Sequence, residues 1–294
     1  MRFVSLESAE VAVVVNGRVI PSGKIEGSHP QSMLELISAG EEKLRSLWKA
    51  AEALARTRPD QFHLLEETPL APPLPNPPRN IICVGKNYRE HVNEIKATAI
   101  GAGGMPDRPI FFTKATTALA APSAEIPAHA DLTEKLDYEG EIAVIIGRGG
   151  SGISPERAWE YVFGITGIND ISARDLQASH RQWFLGKSLD GAAPMGPTIL
   201  HVSALPEPKE IRLETRVNHE IRQQGNLSQL IFDIPTLIAT LSRGMTLLPG
   251  DIIATGTPKG VGGGFDPPRF LCPGDLVEVE ISGVGRLRNR VSRD

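Results

Sequence analysis

Three acidic residues, Glu139, Glu141 and Asp170, are the side chains whose types and spacing could hold a metal ion. Glu139 and Glu141 stand two apart at the start of an apolar run, residues 142–146, which ends at Gly147. Such a run, rich in β-branched residues and followed by glycine, predicts a buried strand. Residues two apart on a strand point to the same face, with Cα atoms roughly 7 Å apart. Two neighbouring carboxylates repel each other, and a bound cation removes that repulsion.

Asp170 closes a second apolar stretch, residues 163–169, further along the chain. Three carboxylates without a matching cysteine or histidine suit a hard divalent cation, Mg²⁺ or Mn²⁺, which keeps coordination positions open for substrate oxygens. The alternative is a solvated strand face, which is the commoner role of an isolated pair of glutamates. The rest of the sequence must therefore decide between the two.

His91 and Glu94 could form an acid–base pair. They stand three apart in the segment 87–95, which has a helical pattern, so their side chains are neighbours on the helix. The segment runs into the glycine-rich stretch 101–106, and a short helix tied to such a stretch can move as an active-site lid must. The alternative is a surface helix whose histidine packs against its own Tyr88.

Two more segments carry polar groups. Residues 186–188, Gly-Lys-Ser, are not a phosphate loop, because its first glycine would stand at position 181, which is arginine. Lys187 is interpreted as a cation near the acids, the alternative being a surface lysine without a role. Residues 255–262, Thr-Gly-Thr-Pro-Lys-Gly-Val-Gly, could hold a carboxylate, or form only a tight loop. Their glycines do not open a helix, which argues against a dinucleotide site.

The elements that must position these side chains are mostly short strands. The sequence predicts a hairpin around Asn16-Gly17, strands at 80–85, 109–114, 211–217, 227–232, 252–254 and 276–281, and helices over 31–56, over 155–161 and after Asp233. The prolines of residues 69–78 predict a stiff linker. We therefore expect a small N-terminal domain over 1–75 and a main domain over 79–294.

Composition restricts the class of protein. The 294 residues are 40% hydrophobic and carry a formal net charge of −4, which gives no basic footprint for nucleic acid. No apolar segment approaches membrane-spanning length, and the first residues lack the basic region of a signal peptide. The two cysteines, Cys83 and Cys272, have no metal-binding spacing, so we expect a cytoplasmic protein that binds neither membrane nor nucleic acid.

Five motifs in one order resemble the fumarylacetoacetate hydrolase family: GKNYREHVNE, LDYEGE, GINDISARD, FLGKSLDGAAPMGP and PGDIIATGTPKGVG. The similarity spans residues 79–291. It implies an α+β, predominantly β fold, with a main domain built as a mixed β-sandwich or roll, a small N-terminal α+β domain, and a homodimer. The resemblance also implies the residues of the site. A Mg²⁺ or Mn²⁺ ion would be bound by Glu139, Glu141 and Asp170, and the catalytic residues would be the lid pair His91 and Glu94 together with the family lysine, Lys187. Substrate contacts would come from Thr257, Gly256 and Tyr88.

The resemblance implies a catabolic enzyme for a small 2-oxo or 2,4-dioxo acid. Our first hypothesis is a hydrolase that cleaves a carbon–carbon bond of an acylpyruvate or fumarylacetoacetate-like 2,4-dioxo acid through a metal-stabilised enolate. In it, Glu94 orients His91, which takes a proton from water, and Lys187 adds positive charge where negative charge develops. The family's hydrolases proper carry a further aspartate ligand upstream, which has no counterpart before Glu139, so smaller 2-oxo acids fit better.

Other activities stay open at this point. A carboxy-lyase acting on an oxaloacetate-type acid needs the same cation and enolate but no attacking water. An isomerase or hydratase of 2-oxo-enoates is a further alternative that the resemblance allows. A metal-binding module without catalysis is the non-enzymatic alternative.

Overall fold

The computed structural model describes residues 1–27, 29–97 and 104–293. Within them the strands are β1 (Arg2–Ser5), β2 (Val11–Val15), β3 (Arg18–Pro21), β4 (Ile81–Gly85), β5 (Ile110–Lys114), β6 (Leu119–Ala120), β7 (Leu136–Asp137), β8 (Gly140–Ile146), β9 (Val162–Asn169), β10 (Ser172–Ala173), β11 (Ala193–His201), β12 (Arg212–Val217), β13 (Glu220–Asn226), β14 (Ile252–Ala254), β15 (Leu276–Ile281) and β16 (Gly285–Arg290). The α-helices are α1 (Met33–Ile37), α2 (Glu41–Thr57), α3 (Arg89–Glu94), α4 (Arg174–Ser179), α5 (Phe184–Lys187) and α6 (Ile234–Ser242).

Most of these strands form one mixed sheet in the order β3-β2-β1-β11-β9-β8-β14-β4-β5, with β6 beside β11. Strands β8 and β9 are antiparallel, and their register sets Gly140 opposite Asn169. The C-terminal end of β9 therefore lies beside the N-terminal end of β8. The Asp170 backbone N–H donates to the Glu139 carbonyl oxygen over 2.8 Å. This register brings the acids that flank the two strands to the same end of the sheet.

Side chains along β8 alternate between two hydrophobic cores. Ala143 and Ile145 pack into a core that includes the apolar face of α2. Ile142 and Val144 pack into a second core, which lies against the smaller sheet and α6. Because Glu141 precedes Ala143 by two residues, it lies on the same sheet face as Ala143, as the spacing predicts.

The smaller sheet has four antiparallel strands in the order β13-β12-β15-β16 and covers one face of β8 and β9. Gly140 marks the tightest approach between the two sheets, because a methyl group in its place would overlap with Thr215 and lie 3.2 Å from Val279. The result is the predominantly β, α+β architecture that the sequence predicts. No helix of the described residues is long and apolar enough to cross a membrane.

The first part of the chain continues the large sheet. Strand β1 pairs antiparallel with both β2 and β11, so this segment shares a sheet with the acidic strands. The predicted hairpin is present, with Asn16 and Gly17 at φ values of 51° and 77° between β2 and β3. Gly40, at φ 80°, separates α1 from α2 and splits the predicted helical segment in two.

The strand predicted at 227–232 is wrong. The partner of β12 is β13, which precedes that segment, and Leu227–Gln229 form a turn of 3-10 helix. Strand β13 is an exposed, mainly polar edge strand, so it lacks the apolar alternation by which strands are found in a sequence. The helix predicted over 155–161 is present as a 3-10 helix, and the helix predicted after Asp233 begins with that side chain accepting from the Thr236 N–H.

Candidate active site

A cavity of about 240 Å³ lies where α3 crosses the end of the acidic strands. Glu139, Glu141 and Lys187 line one part of it, and His91 and Thr257 line it too. The remaining wall is largely apolar, with side chains of Val84, Ile95, Phe112, Trp183, Val261 and Phe270. A cavity with an apolar lining and a few charged groups is typical of a binding site for a small ligand.

The three predicted metal ligands come together at this cavity. One carboxylate oxygen from each of Glu139, Glu141 and Asp170 lies within 4.8 Å of the others. Their exposed fractions are 6%, 2% and 0%, so the solvated strand face considered above does not apply. A buried group of like charges requires compensation by cations.

Three buried cationic side chains surround the acids. Lys187 Nζ donates to Glu139 Oε2 over 2.7 Å and to Asp170 Oδ2 over 2.9 Å. Lys114 Nζ, at the end of β5, donates to Asp170 Oδ1 over 2.7 Å. Arg174, at the start of α4, donates to Glu139 Oε1 over 2.5 Å. Glu139 and Asp170 therefore each have two cationic partners.

Arg174 is itself held in a second layer of contacts. Its Nε donates to Asp137 Oδ2 over 2.8 Å, and the two oxygens of Asp137 also accept from the Gly262 and Gly263 backbone N–H groups. Its Nη1 donates to Gln177 Oε1 over 3.1 Å. Its Nη2 is buried and has no hydrogen-bond partner among the described residues. Because Arg174 lines the cavity, the two N–H groups of Nη2 are donors that a ligand of the cavity could engage.

The carboxylates differ in how well their charge is balanced. Burial raises the pKa of Glu141 well above its ordinary value, and the negative charges of Asp170 and Glu139 raise it further. Burial also acts to raise the pKa of Glu139, but the charges of Lys187 and Arg174 outweigh it and hold that pKa below its ordinary value. The negative charge at Glu141 is therefore the one that most needs another cation.

The site fits a divalent cation. All three candidate ligands are oxygen donors, the set that Mg²⁺ and Mn²⁺ prefer, and their oxygens are close enough to share one ion. Glu141 Oε2 accepts from the Gly256 N–H over 2.7 Å, so the backbone orients the carboxylate that has no cationic hydrogen-bond partner among the described residues. Glu139, Glu141 and Asp170 would hold the ion, which would supply Lewis-acid chemistry to substrate oxygens.

The predicted acid–base pair is present on α3. His91 Nδ1 lies 3.1 Å from Glu94 Oε2, and the other oxygen of Glu94 accepts from the Gly260 backbone N–H over 2.7 Å. Because an ionised carboxylate only accepts hydrogen bonds, Nδ1 carries the proton and Nε2 is left as the basic nitrogen. Helix α3 starts beside Asn87. The side-chain Nδ2 of Asn87 donates hydrogen bonds to the Thr255 and Phe232 carbonyl oxygens. Of the glycine-rich stretch predicted after this helix, residues 101–103 lie outside the described residues.

The segment 255–264 follows β14 and contacts both the acids and α3. Thr257 lines the cavity, but its hydroxyl donates to the Gly140 carbonyl oxygen over 3.0 Å and accepts from Gln223 over 2.7 Å. Gly256 contacts Glu141 through its N–H, so its hydrogen bond goes to a candidate metal ligand. Tyr88 is not among the residues that line the cavity, and its hydroxyl donates to the Asn226 carbonyl oxygen over 3.3 Å. Substrate contacts by these three residues stay predictions.

The family model described as fumarylacetoacetate (FAA) hydrolase C-terminal matches residues 80–292, which is well over half of the chain. The chain belongs to the fumarylacetoacetate hydrolase family. An oxaloacetate tautomerase from Bacillus subtilis (strain 168) is 46% identical over 265 residues, which cover 89% of this chain and 87% of that protein.

Solved structures show the same membership of the fumarylacetoacetate hydrolase family. The fumarylacetoacetate hydrolase from psychrophilic Exiguobacterium antarcticum is 41% identical, with a TM-score of 0.83 over 100% of both chains. The maleylpyruvate hydrolase from Sphingobium sp. SYK-6, solved with a manganese(II) ion and pyruvate, is 29% identical, with a TM-score of 0.76 over 99% of both chains. The resemblance and the fold class inferred from the sequence are confirmed.

Four residues of this family member's site were not assigned from its sequence: Lys114, Asp137, Arg174 and Gln177. Asp137 continues the two-residue spacing of the acids, and Arg174 and Gln177 share one turn of α4. Both spacings are visible in the sequence and could have indicated these three residues. For Lys114 the sequence offered one indication of a role in the site, its position at the end of an apolar strand. Its contact with Asp170 joins residues 56 positions apart, which no local pattern reveals.

Proposed function

We propose that the chain is a divalent-metal-dependent enzyme that forms or protonates the enolate of a small 2-oxo acid. One observation carries this proposal: Glu139 and Glu141 of the buried carboxylate cluster line the same cavity as His91, which is paired with Glu94. Negative charge on a 2-oxo oxygen requires a Lewis acid or a cation, and a proton at the adjacent carbon requires a base. Both requirements are met by groups that line this cavity.

The first reaction that we propose is keto–enol tautomerisation of an oxaloacetate-type acid. The 46% identical oxaloacetate tautomerase supports it. His91 Nε2 removes a proton from C3 of the substrate, the electron pair forms the C2=C3 bond, and negative charge moves to the 2-oxo oxygen. Glu94 stabilises the imidazolium, which releases its proton to water, and the enolate oxygen takes a proton from water to complete the enol. Lys187 and Arg174 Nη2 stabilise the negative oxygen.

The second candidate is hydrolysis of the C3–C4 bond in a 2,4-dioxo acid. It is supported by the Mn²⁺- and pyruvate-containing structure of maleylpyruvate hydrolase, to which this chain is similar. Here His91 takes the proton from water, the hydroxide oxygen attacks C4, and the C3–C4 bond breaks to leave a carboxylic acid and the enolate of pyruvate. The same residues stabilise the enolate in both reactions. The two candidates differ in the group that His91 deprotonates, which is C3 of the substrate in the first and water in the second.

Three assays with the Mg²⁺-loaded protein test the proposal. Loss of the enol's ultraviolet absorbance, after crystalline enol-oxaloacetate is dissolved, measures tautomerisation. Proton NMR of a second tube of oxaloacetate detects pyruvate, the product of decarboxylation. Proton NMR of acetylpyruvate detects acetate and pyruvate, the products of hydrolysis. Faster decay of the enol without pyruvate supports the tautomerase, whereas acetate plus pyruvate supports the hydrolase. If no 2-oxo acid reacts faster than in a tube without protein, the proposed function is wrong.

Thermal unfolding separates an enzyme of this kind from a metal-binding module. Oxalate resembles the enolate of a 2-oxo acid and should raise the melting temperature only when Mg²⁺ is also present. A module with a structural ion should be stabilised by the metal alone, with nothing added by oxalate. Glu125→Gln, which changes an exposed carboxylate outside the cavity, is the control for Glu141→Gln, which should abolish both effects.

A further inference from the structure

Asp137 is a fully buried carboxylate on β7 that does not line the cavity. Its Oδ1 accepts from the Gly262 N–H over 2.7 Å and from the Tyr138 N–H over 2.9 Å. Its Oδ2 accepts from the Gly263 N–H over 2.9 Å and from Arg174 Nε over 2.8 Å. Each oxygen therefore has two N–H partners, which matches its two lone-pair positions. A carboxylate with this set of partners can act on the site only through the groups that it holds.

The contacts of Asp137 with the backbone at 262–263 hold the loop that follows β14. Gly260 lies in the same loop, and its N–H donates to Glu94 Oε1 over 2.7 Å. The other oxygen of Glu94 lies 3.1 Å from His91 Nδ1. Asp137 is therefore connected to the acid–base pair through hydrogen bonds and a short piece of backbone.

Tyr138, the neighbour of Asp137, provides a second anchor for this loop. Its side chain is fully buried, and its hydroxyl donates to the Gly260 carbonyl oxygen over 2.8 Å. The N–H and the carbonyl of Gly260 are thus both engaged, one by Glu94 and the other by Tyr138. A methyl group at Gly260 would overlap with the Arg222 carbonyl oxygen, so the loop also packs closely against β13 at this point.

The other contact of Asp137 leads to the candidate metal ligands. Arg174 uses Nε for Asp137 and Nη1 for Glu139 Oε1. Glu139 follows Asp137 by two residues, and β7 pairs with β10 in a register that sets Asp137 opposite Ser172. One buried carboxylate therefore contacts both the arginine that holds a metal ligand and the loop that holds the partner of the histidine.

We propose that Asp137 is a positioning residue that sets the acid–base pair relative to the metal carboxylates. Through the loop it keeps Glu94 beside His91 Nδ1, so the proton stays on that nitrogen and Nε2 remains the basic one. Without this support Glu94 loses its fixed place, and the imidazole can adopt the other tautomer. The catalytic consequence rests on the proposed function, in which Nε2 of His91 is the base.

Asp137→Asn tests this role with little change in side-chain shape. An amide nitrogen donates hydrogen bonds, so whichever way the amide is turned, the two N–H groups on one side lose their acceptor. NMR of ¹⁵N-labelled histidine rings at alkaline pH, where imidazoles are neutral, reports which ring nitrogen carries the proton. We expect the Nδ1–H tautomer of His91 in the Mg²⁺-loaded parent protein and a shift toward the Nε2–H tautomer in Asp137→Asn. His91→Ala identifies the signals.

Asp251→Asn is the matched control for the loss of a buried carboxylate. Asp251 is as buried as Asp137, and its Oδ2 accepts from the Leu248 N–H over 2.7 Å. Its carbonyl oxygen accepts from the Ile146 N–H, at the end of β8 away from the acids. Asp251→Asn should lower the melting temperature and leave the His91 tautomer as in the parent protein. The same tautomer in the parent protein and Asp137→Asn, or an equal shift in both variants, would overturn the proposal.

Tyr138→Phe separates the loop from the arginine. It removes the hydroxyl that holds Gly260 and leaves the contact between Asp137 and Arg174 in place. The His91 tautomer should shift in the same direction as in Asp137→Asn, by a smaller amount. An unchanged tautomer in Tyr138→Phe would contradict the route through the loop. This variant also tests the proposal if Asp137→Asn does not fold.

Catalysis gives a second measurement. Exchange of the C3 protons of oxaloacetate with deuterium is followed by proton NMR on the Mg²⁺-loaded protein, with a protein-free tube subtracted. Tyr138→Phe should lower kcat about 10-fold through misorientation of the base and change KM less than about twofold, since Tyr138 does not line the cavity. A raised KM with unchanged kcat would contradict the positioning role. If the parent protein exchanges no 2-oxo acid, the proposed function fails, and the tautomer spectra still decide the role of Asp137.

Discussion

The backbone N–H of Gly260 donates to Glu94 Oε1 over 2.7 Å, while Glu94 Oε2 lies 3.1 Å from His91 Nδ1. The carboxylate of Glu94 is thus fixed between an imidazole on α3 and a backbone amide 166 residues further along the chain. The orientation of the histidine depends on the loop after β14 as much as on its own helix.

Removal of the imidazole should separate catalysis from metal binding. We expect His91→Ala to lose about 100- to 10,000-fold in kcat, the usual contribution of a general base, and to bind Mn²⁺ as the parent protein does. Enol decay assays measure the first effect and calorimetric titration with Mn²⁺ the second. Glu94→Gln, which keeps the shape of the side chain, should lose less activity. Full turnover in His91→Ala would contradict the acid–base role.

A methyl group at Gly264 should displace Glu94 without unfolding the protein. A Cβ at this position would overlap with the Glu94 carboxyl group, which is the movable end of a flexible side chain. We expect Gly264→Ala to lower kcat about 10-fold or more through misorientation of His91, with little change in melting temperature. Gly244→Ala is the matched control, since a Cβ there meets no atom within 4 Å. Equal activity of the two variants would show that Glu94 need not keep its position.

The raised pKa of Glu141 predicts how the metal-free protein responds to pH. A carboxyl whose pKa is higher in the folded than in the unfolded state binds more protons when folded, so its contribution to stability falls as pH rises above the ordinary value of 4.5. We expect Glu141→Gln to be more stable than the parent protein at pH 7 without metal, and the difference to shrink toward pH 4.5. Urea unfolding at both pH values measures this, and Mg²⁺ should stabilise only the parent protein.

Lys114 should stabilise the site before any metal binds. The side chain is fully buried and donates to Asp170 Oδ1 and to the Ile171 carbonyl oxygen. Removing one partner of a buried ion pair leaves the other charge uncompensated, so Lys114→Met should lower the free energy of unfolding by about 3 kcal/mol in the absence of metal. Added Mn²⁺ should recover part of that loss. Lys209→Met, on the exposed surface, is the control, and the same stability in both variants would be inconsistent with this role.

The sequence predicted the local elements that carry the site. The apolar run after Glu141 became β8, the proline–glycine turns before β14 and β15 are present with Gly250 and Gly274 at positive φ, and the helix at Asp233 starts with the expected cap. Each of these depends on residues close together in the chain. Hydrophobic periodicity, turn residues and capping residues report such local structure directly.

The features that could not be predicted from the sequence are contacts between residues that lie far apart in the chain. Nothing near Lys114 indicates that its ammonium meets Asp170, and nothing near Glu94 points to Gly260. The pairing of β1 with β11 is equally non-local, so the continuity of the N-terminal strands with the large sheet could not be read from the sequence. Strand β13 was misplaced because its polar side chains pair at an open edge and need no apolar face.

The loop after β14 has two separate attachments, one from Gly256 to Glu141 and one from Gly260 to Glu94. Because they are different hydrogen bonds on different residues, release of α3 at Gly260 would leave the contact between Gly256 and Glu141 in place. Under the proposed function, product could then leave past α3 while the carboxylates stay arranged for an ion, so a protein molecule that has bound its metal would keep it from one turnover to the next.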